Sequence, residues 1–125
     1  MLTSILSLLR VRQWTKNVFV LAVPFFSGNV LHSAMLLDLG IAFAAACLAS
    51  SIVYIINDLA DRELDKANLK YKVRPIASGD ISVMQASLIL AILAVSLVTM
   101  SLTVIKSTSI SALLYSYITI NIFYS

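Results

Sequence analysis

Residues 54–79 read YIINDLADRELDKANLKYKVRPIASG, in a chain otherwise dominated by Leu, Ile, Val, Ala and Ser. Five of the six acidic residues and five of the nine basic ones fall between positions 57 and 80. The chain as a whole is 60% hydrophobic and only 12% charged, with a mean hydropathy of +0.96, far from the composition of a soluble domain. The charged segment therefore reads as a polar connection between membrane helices. A hydrocarbon core about 30 Å thick takes roughly 20 apolar residues per helix, so the remaining length admits about four spans.

Working outward from that segment, the expected spans are approximately 14–31, 36–57, 81–105 and 109–124, with a short amphipathic start over Met1–Leu9. The first span carries Lys16 and Asn17 near its start and Pro24 inside, which a bundled membrane helix tolerates when neighbours satisfy the freed backbone groups. Basic residues before an apolar run also open signal peptides, but no small-x-small cleavage site follows and further spans come after. The second span is rich in small residues that let membrane helices approach closely. With no internal repeat and no Gly/Pro linker, residues 1–125 form a single membrane domain, all-α, a multi-span transmembrane helix bundle.

Basic residues are retained on the cytoplasmic side of short loops. Arg10, Arg12 and Lys16 precede the first span, and Arg62, Lys66, Lys70, Lys72 and Arg74 lie between the second and third, whereas Lys106 is the single base in the opposite loops. The N-terminus and the Asp-rich loop 57–80 are thus expected to be cytoplasmic. Cys47, alone and mid-span, reads as a small buried apolar residue, His32 as a solvated loop residue, and Trp14 as an interface anchor.

At about 100° per residue, Asp58, Asp61 and Asp65 project within about 60° of one another, and Glu63 points roughly the opposite way. Extended backwards, the same spacing gives Cys47, Ser51, Tyr54, Asp58, Asp61 and Asp65, a stripe that turns from small to polar to acidic. It reads as one wall of a cavity with its mouth at the membrane surface. Like charges at i, i+3 and i+4 destabilise a helix unless cations neutralise them. Arg62 could supply part of that neutralisation. A divalent ion is the sharper candidate, because Mg²⁺ is commonly held by one or two carboxylates together with substrate phosphates. Lys70, Lys72 and Arg74 downstream could take phosphate oxygens, or serve topology, or both. Carboxylates at a membrane surface fit a transporter poorly, since an ion pathway places charge near the midplane.

These motifs resemble the UbiA-type superfamily of intramembrane prenyltransferases. NDLADRELD, residues 57–65, is similar to its first aspartate-rich pattern N-D-x-x-D-x-x-x-D, and KVRPIASGDIS, residues 72–82, to the basic-R-P segment after it. RVRQWTKN at 10–17 and NIFYS at 121–125 resemble the R-x-x-Q-W-x-K-N and N-x-x-Y-S motifs of the branch containing decaprenyl-phosphate phosphoribosyltransferases. The chain departs from that branch at Val11, Asn68-Leu69 and Tyr71, where the branch has Pro, His-Pro and a basic residue.

The resemblance implies a bundle of about nine helices in which two aspartate-rich segments face each other, with this chain supplying about the first four. No acidic residue follows Asp80, so the second segment has no counterpart here and missing C-terminal or partner helices are expected. A truncated, non-catalytic membrane protein is the alternative to a fragment. The implied activity is transfer involving a polyprenyl phosphate or diphosphate in the inner membrane, with phosphoribosyl diphosphate as the favoured donor and an aromatic polyprenyltransferase as the other enzyme reading. No nucleic-acid partner is expected. Asp58, Asp61 and Asp65 are assigned to catalysis and Mg²⁺, and Asn57, Tyr54, Lys16, Asn17, Lys70, Lys72 and Arg74 to substrate, with Lys72 and Arg74 the leading phosphate contacts and Lys70 the weaker.

Overall fold

The computed structural model describes residues 1–19, 22, 33–105 and 108–124, and among these there is no strand. Helix α1 (Leu2–Leu8) is capped by Leu9, Arg10 then takes a left-handed backbone (φ 51°, ψ 44°), and a 3-10 helix (Val11–Val18) follows. The long α2 (Ser33–Ala60) leads through a bend at Asp61 into α3 (Arg62–Ala67). A turn, a short α4 (Pro75–Ser78), α5 (Val83–Thr103) and α6 (Thr108–Tyr124) complete the order. Pro24, His32 and Lys106 lie outside the described residues, as does most of the expected first span.

The start of that span, through Val18, is 3-10, with α-helix at Phe19 and Ala22, and the side-chain pattern explains the 3-10 start. A three-residue repeat stacks i and i+3. Val11, Trp14 and Asn17 form one half-buried ridge, while Arg12, Thr15 and Val18 stay exposed. Trp14 Nε1 donates to Ser51 Oγ at 3.1 Å, and Asn17 Nδ2 donates to Ser50 Oγ at 3.2 Å, so the ridge is seated on α2.

Two helices, α2 and α5, are long and apolar enough to cross a membrane. The core helix of a soluble protein would be largely enclosed, but the most apolar stretch of α5 is only 11% buried. Leu88, Ile92, Val95 and Leu102 on α5, and Leu113, Ile120 and Phe123 on α6, face outward, as lipid or further helices require. Inside, Ala45 and Ala49 of α2 are fully buried against Leu97 of α5, with Leu114 and Ile118 of α6 alongside. Small residues here allow the close approach that membrane helices need.

At the charged end a second cluster joins Leu8 of α1, Ile55 of α2, Ile76 of α4, and Ile81 and Ala86 near the start of α5. This cluster is the floor on which the polar segment rests. The segment itself is mostly helical turns rather than open loop. Pro75 takes the first position of α4, where its missing N–H costs nothing, and Gly79 closes the turn at φ 86°. Ser82 and Gln85 then form a reciprocal capping box that starts α5, with bonds of 3.2 and 2.9 Å.

Candidate functional site

The small-to-acidic stripe on α2 is a packed seam over most of its length, not the open cavity wall its spacing suggests. The N-terminal segment runs along it, bringing Asn17 to Cys47 (Nδ2–Sγ 3.5 Å), Trp14 to Ser51, and Arg10 to both Tyr54 and Asp58. Trp14 is thus tied to α2 through its indole N–H. Ser51 Oγ also donates to the Leu9 carbonyl at 2.8 Å, which fixes the chain just before Arg10 turns left-handed. A left-handed non-glycine residue costs about 1–2 kcal/mol, and two contacts offset it here. The Arg10 guanidinium stacks 4.5 Å from the Tyr54 ring centroid and places Nη2 2.7 Å from Asp58 Oδ1.

Only the acidic end of the stripe opens. Backbone bonds from Asp61 N to the Asn57 carbonyl and from Asp65 N to the Asp61 carbonyl, each 2.8 Å, carry the helical repeat across the bend. Asp58 and Asp65 are buried at 1% and 4% exposure. Both reach Arg74, whose Nη1 is 2.7 Å from Asp65 Oδ2 and 3.3 Å from Asp58 Oδ1. Asp61 is half-exposed and makes no ion pair among the described residues. The expected three-carboxylate set is therefore not gathered: no group of three acids, histidines or cysteines among the described residues is placed to hold a metal. The guanidinium groups of Arg10 and Arg74 pair with the buried carboxylates, and the bend at Asp61 sets its carboxylate apart.

A metal ion is nonetheless compatible with the donors present. Asn57 Oδ1 is buried with no hydrogen-bond partner among the described residues, an arrangement that costs free energy unless some further group satisfies it. Together with the unpaired Asp61 carboxylate one turn on, it offers the oxygen donors a hard cation prefers.

Beside Asp58 lies a cavity of about 650 Å³ whose lining includes Arg10, Arg12, Lys70, Tyr71, Arg74 and Asp58. Thr3 and Ser7 of α1 and Gln13 of the 3-10 helix add hydroxyl and amide groups to the same wall. Four cations thus face the space against one carboxylate. Tyr71 lies under two of them, with Arg74 Cζ 4.4 Å and Lys70 Nζ 5.3 Å from its ring centroid. Arg74 itself enters in extended geometry (φ −64°, ψ 140°), as a residue before proline should.

Of the residues expected at the site, Asp58, Lys70 and Arg74 border the cavity, Asp65 is joined through Arg74, and Tyr54 through Arg10. Lys16 and Lys72 are exposed and line none of it, and Asn17 is turned into α2. Glu63 faces solvent as its position on the helix wheel requires, where a 3.0 Å hydrogen bond from Lys66 holds its carboxyl below the usual range. Arg10, Arg12 and Tyr71 were not expected there. Arg10 opens the R-x-x-Q-W-x-K-N motif, and Tyr71 sits one residue after Lys70 and three before Arg74, a spacing that could have disclosed both.

Comparison with known proteins adds to this geometry. The profile of the UbiA prenyltransferase family matches residues 7–125. The chain belongs to the UbiA prenyltransferase family. This UbiA chain is 37% identical over 92 residues to a decaprenyl-phosphate phosphoribosyltransferase of Corynebacterium glutamicum, covering 71% of the chain and 28% of that relative. It is 34% identical over 100 residues to the same-named enzyme of Mycolicibacterium smegmatis, covering 77% and 31% respectively. A 4-hydroxybenzoate octaprenyltransferase of Coxiella burnetii is 39% identical over 75 residues, covering 60% of the chain and 20% of the relative. This UbiA chain therefore spans a third or less of each of these relatives, and no solved structure matches it. Family membership and the lipid-facing apolar helices together make it a membrane protein of a transferase family.

Proposed function

We propose that this chain carries the diphosphate-binding half of the active site of a UbiA-type transferase that moves a phosphoribosyl group from phosphoribosyl diphosphate to a polyprenyl phosphate. The observation that carries the reading is the cavity in which Arg10, Arg12, Lys70 and Arg74 face Asp58. Guanidinium and ammonium donors suit phosphate oxygens, and the hydroxyl and amide groups of Thr3, Ser7 and Gln13 suit a sugar phosphate better than a bare isoprenoid. In the transfer, the bond from the anomeric carbon to pyrophosphate breaks while one forms to an oxygen of the lipid phosphate. Negative charge grows on the leaving pyrophosphate, where fixed cations stabilise it.

Arg10 and Arg74 are the counter-ions of Asp58 and Asp65. A phosphate group would compete for the same guanidinium donors, and the carboxylates of Asp58 and Asp65, with Asp61 and Asn57 Oδ1, would be the oxygen donors for Mg²⁺. When bound, Mg²⁺ adds electrostatic stabilisation of the leaving pyrophosphate. Because Arg10 and Arg12 after α1, Arg62 and Lys66 of α3, and Lys70, Lys72 and Arg74 in the turn before α4 gather at one end of α2, that end is assigned to the cytoplasmic face of the inner membrane.

The identity to 4-hydroxybenzoate octaprenyltransferases supports a second reading, prenyl transfer to an aromatic acid. Both are tested on the full-length protein in lipid nanodiscs with Mg²⁺. One assay supplies phosphoribosyl diphosphate and decaprenyl phosphate, the other a polyprenyl diphosphate and 4-hydroxybenzoate. Lipid-linked product in the first assay, abolished by Arg74→Ala, is expected. Product in the second alone would replace the phosphoribosyl reading with the prenyl one.

A further inference from the structure

Lys70 and Arg74 face the same cavity, but they are held there differently. Arg74 is anchored by Asp65 and Asp58 as well as by the Tyr71 ring. The Lys70 ammonium has no carboxylate within ion-pair distance among the described residues; its side-chain contact is the ring of Tyr71. The backbone beneath both is a compact turn. Asn68 Oδ1 accepts from Lys70 N at 3.0 Å, the Asn68 carbonyl accepts from Tyr71 N and Lys72 N at 3.1 and 2.9 Å, and the Tyr71 carbonyl accepts from Arg74 N at 2.9 Å. The turn presents Lys70, Tyr71 and Arg74 together, whereas Lys72, inside the same turn, points elsewhere and lines no part of the cavity.

An aromatic face orients a cation without cancelling its charge. A carboxylate in the same place would hold Lys70 as well but would neutralise it, and would repel an incoming phosphate. Lys70 also carries a long side chain with large rotamer freedom, which a ligand must otherwise freeze on binding. Tyr71 removes part of that cost in advance. We propose that Tyr71 is a positioning residue for the diphosphate group of the substrate, acting through Lys70 and Arg74: its ring holds both cations toward the cavity and leaves the charge of Lys70 uncancelled. The proposal rests on the reading of this cavity as the diphosphate site. The ring takes no part in bond making, so its effect falls on binding rather than on turnover.

The experiment uses the full-length protein in nanodiscs and titrates two probes, phosphoribosyl diphosphate and farnesyl diphosphate, which share the diphosphate and differ in what it is attached to. Tyr71→Leu is expected to weaken the better-bound probe by roughly five- to tenfold. Tyr71→Phe, which keeps the ring face, retains wild-type affinity. In the Lys70→Met background the Leu substitution costs clearly less, because one of the cations it orders is gone. In the transfer assay the Leu variant raises KM with kcat little changed. Tyr71→Gln, polar and suited to a turn, replaces the Leu variant if that fails to fold. Unchanged affinity in the Leu or Gln variant, or a Phe variant as weak as the Leu one, overturns the role given to the ring. A wild-type protein that binds neither probe instead overturns the diphosphate site itself.

Discussion

Arg10 and Asp58, 48 residues apart in sequence, meet at 2.7 Å across the seam between the N-terminal segment and α2. The pair fixes the only non-glycine residue with positive φ among those described, and it does so where the packed stripe gives way to the cavity. Removing Arg10 leaves a carboxylate of 1% exposure with only the longer contact to Arg74. Arg10→Ala should therefore destabilise the full-length protein by about 3 kcal/mol in thermal unfolding in detergent. Arg10→Gly loses the same pair but relieves the left-handed backbone, so it should melt later than the Ala variant by the equivalent of about 1 kcal/mol. A Gly variant no more stable than Ala would show that the backbone at Arg10 is not strained.

Ser51 is the hinge pin of the seam, accepting from Trp14 Nε1 and donating to the Leu9 carbonyl. Ser51→Ala leaves both partners unsatisfied in a partly buried place, at a cost of about 1–2 kcal/mol. Trp14→Phe removes one of the two bonds, so the double variant should cost less than the sum of the singles. Additive costs in that cycle would mean the two residues are not coupled through the hydroxyl.

The membrane helices were legible in the sequence because burial in lipid demands long apolar runs, and α2 and α5 have them. The acidic face was legible from spacing, since Asp58 and Asp65 do turn to one side and Glu63 to the other. The partners were not. Spacing along α2 cannot say that Arg10, far away in sequence, lies against Tyr54 and Asp58, so a base read only as a topology signal is also the carboxylate's counter-ion. Nor does it reveal the 3-10 repeat that turns Asn17 inward, because that repeat depends on Ser50 and Ser51 being there to receive it. Lys70 and Lys72 are equivalent as letters. Only the turn built on Asn68 separates the one that faces the cavity from the one that does not.

Glu63 provides a contrast outside the site. Its carboxyl is held below the ordinary value of 4.5, first by the hydrogen bond from Lys66 and then by that residue's charge. A carboxylate with a lowered folded-state pKa contributes stability above its unfolded pKa and loses that contribution as pH falls through the folded one. The Lys66 contact should therefore be intact at neutral pH and fade below pH 4.5. Glu63→Gln should remove this acid-side component from the pH dependence of unfolding, weakly because the pair is exposed, and leave transfer activity unchanged. A loss of activity in this variant would place Glu63 in the site after all.

Asn57 separates a structural role from a metal-binding one. Its Oδ1 is buried without a partner among the described residues, so a purely structural view makes it a defect, and Asn57→Leu should then stabilise the fold by about 1 kcal/mol and do nothing else. If that oxygen and the unpaired Asp61 carboxylate are donors for Mg²⁺, the same substitution should stabilise the protein and also raise the Mg²⁺ concentration for half-maximal transfer several-fold. Asp61→Asn should raise it by about tenfold, because the ion loses a full charge rather than a dipole. Binding of Mn²⁺ followed by electron paramagnetic resonance gives a readout independent of turnover, and the two variants should weaken it in the same order. Unaltered metal dependence in both would remove Asn57 and Asp61 from the metal site and leave the arginine-paired Asp58 and Asp65 as the carboxylates proposed for it.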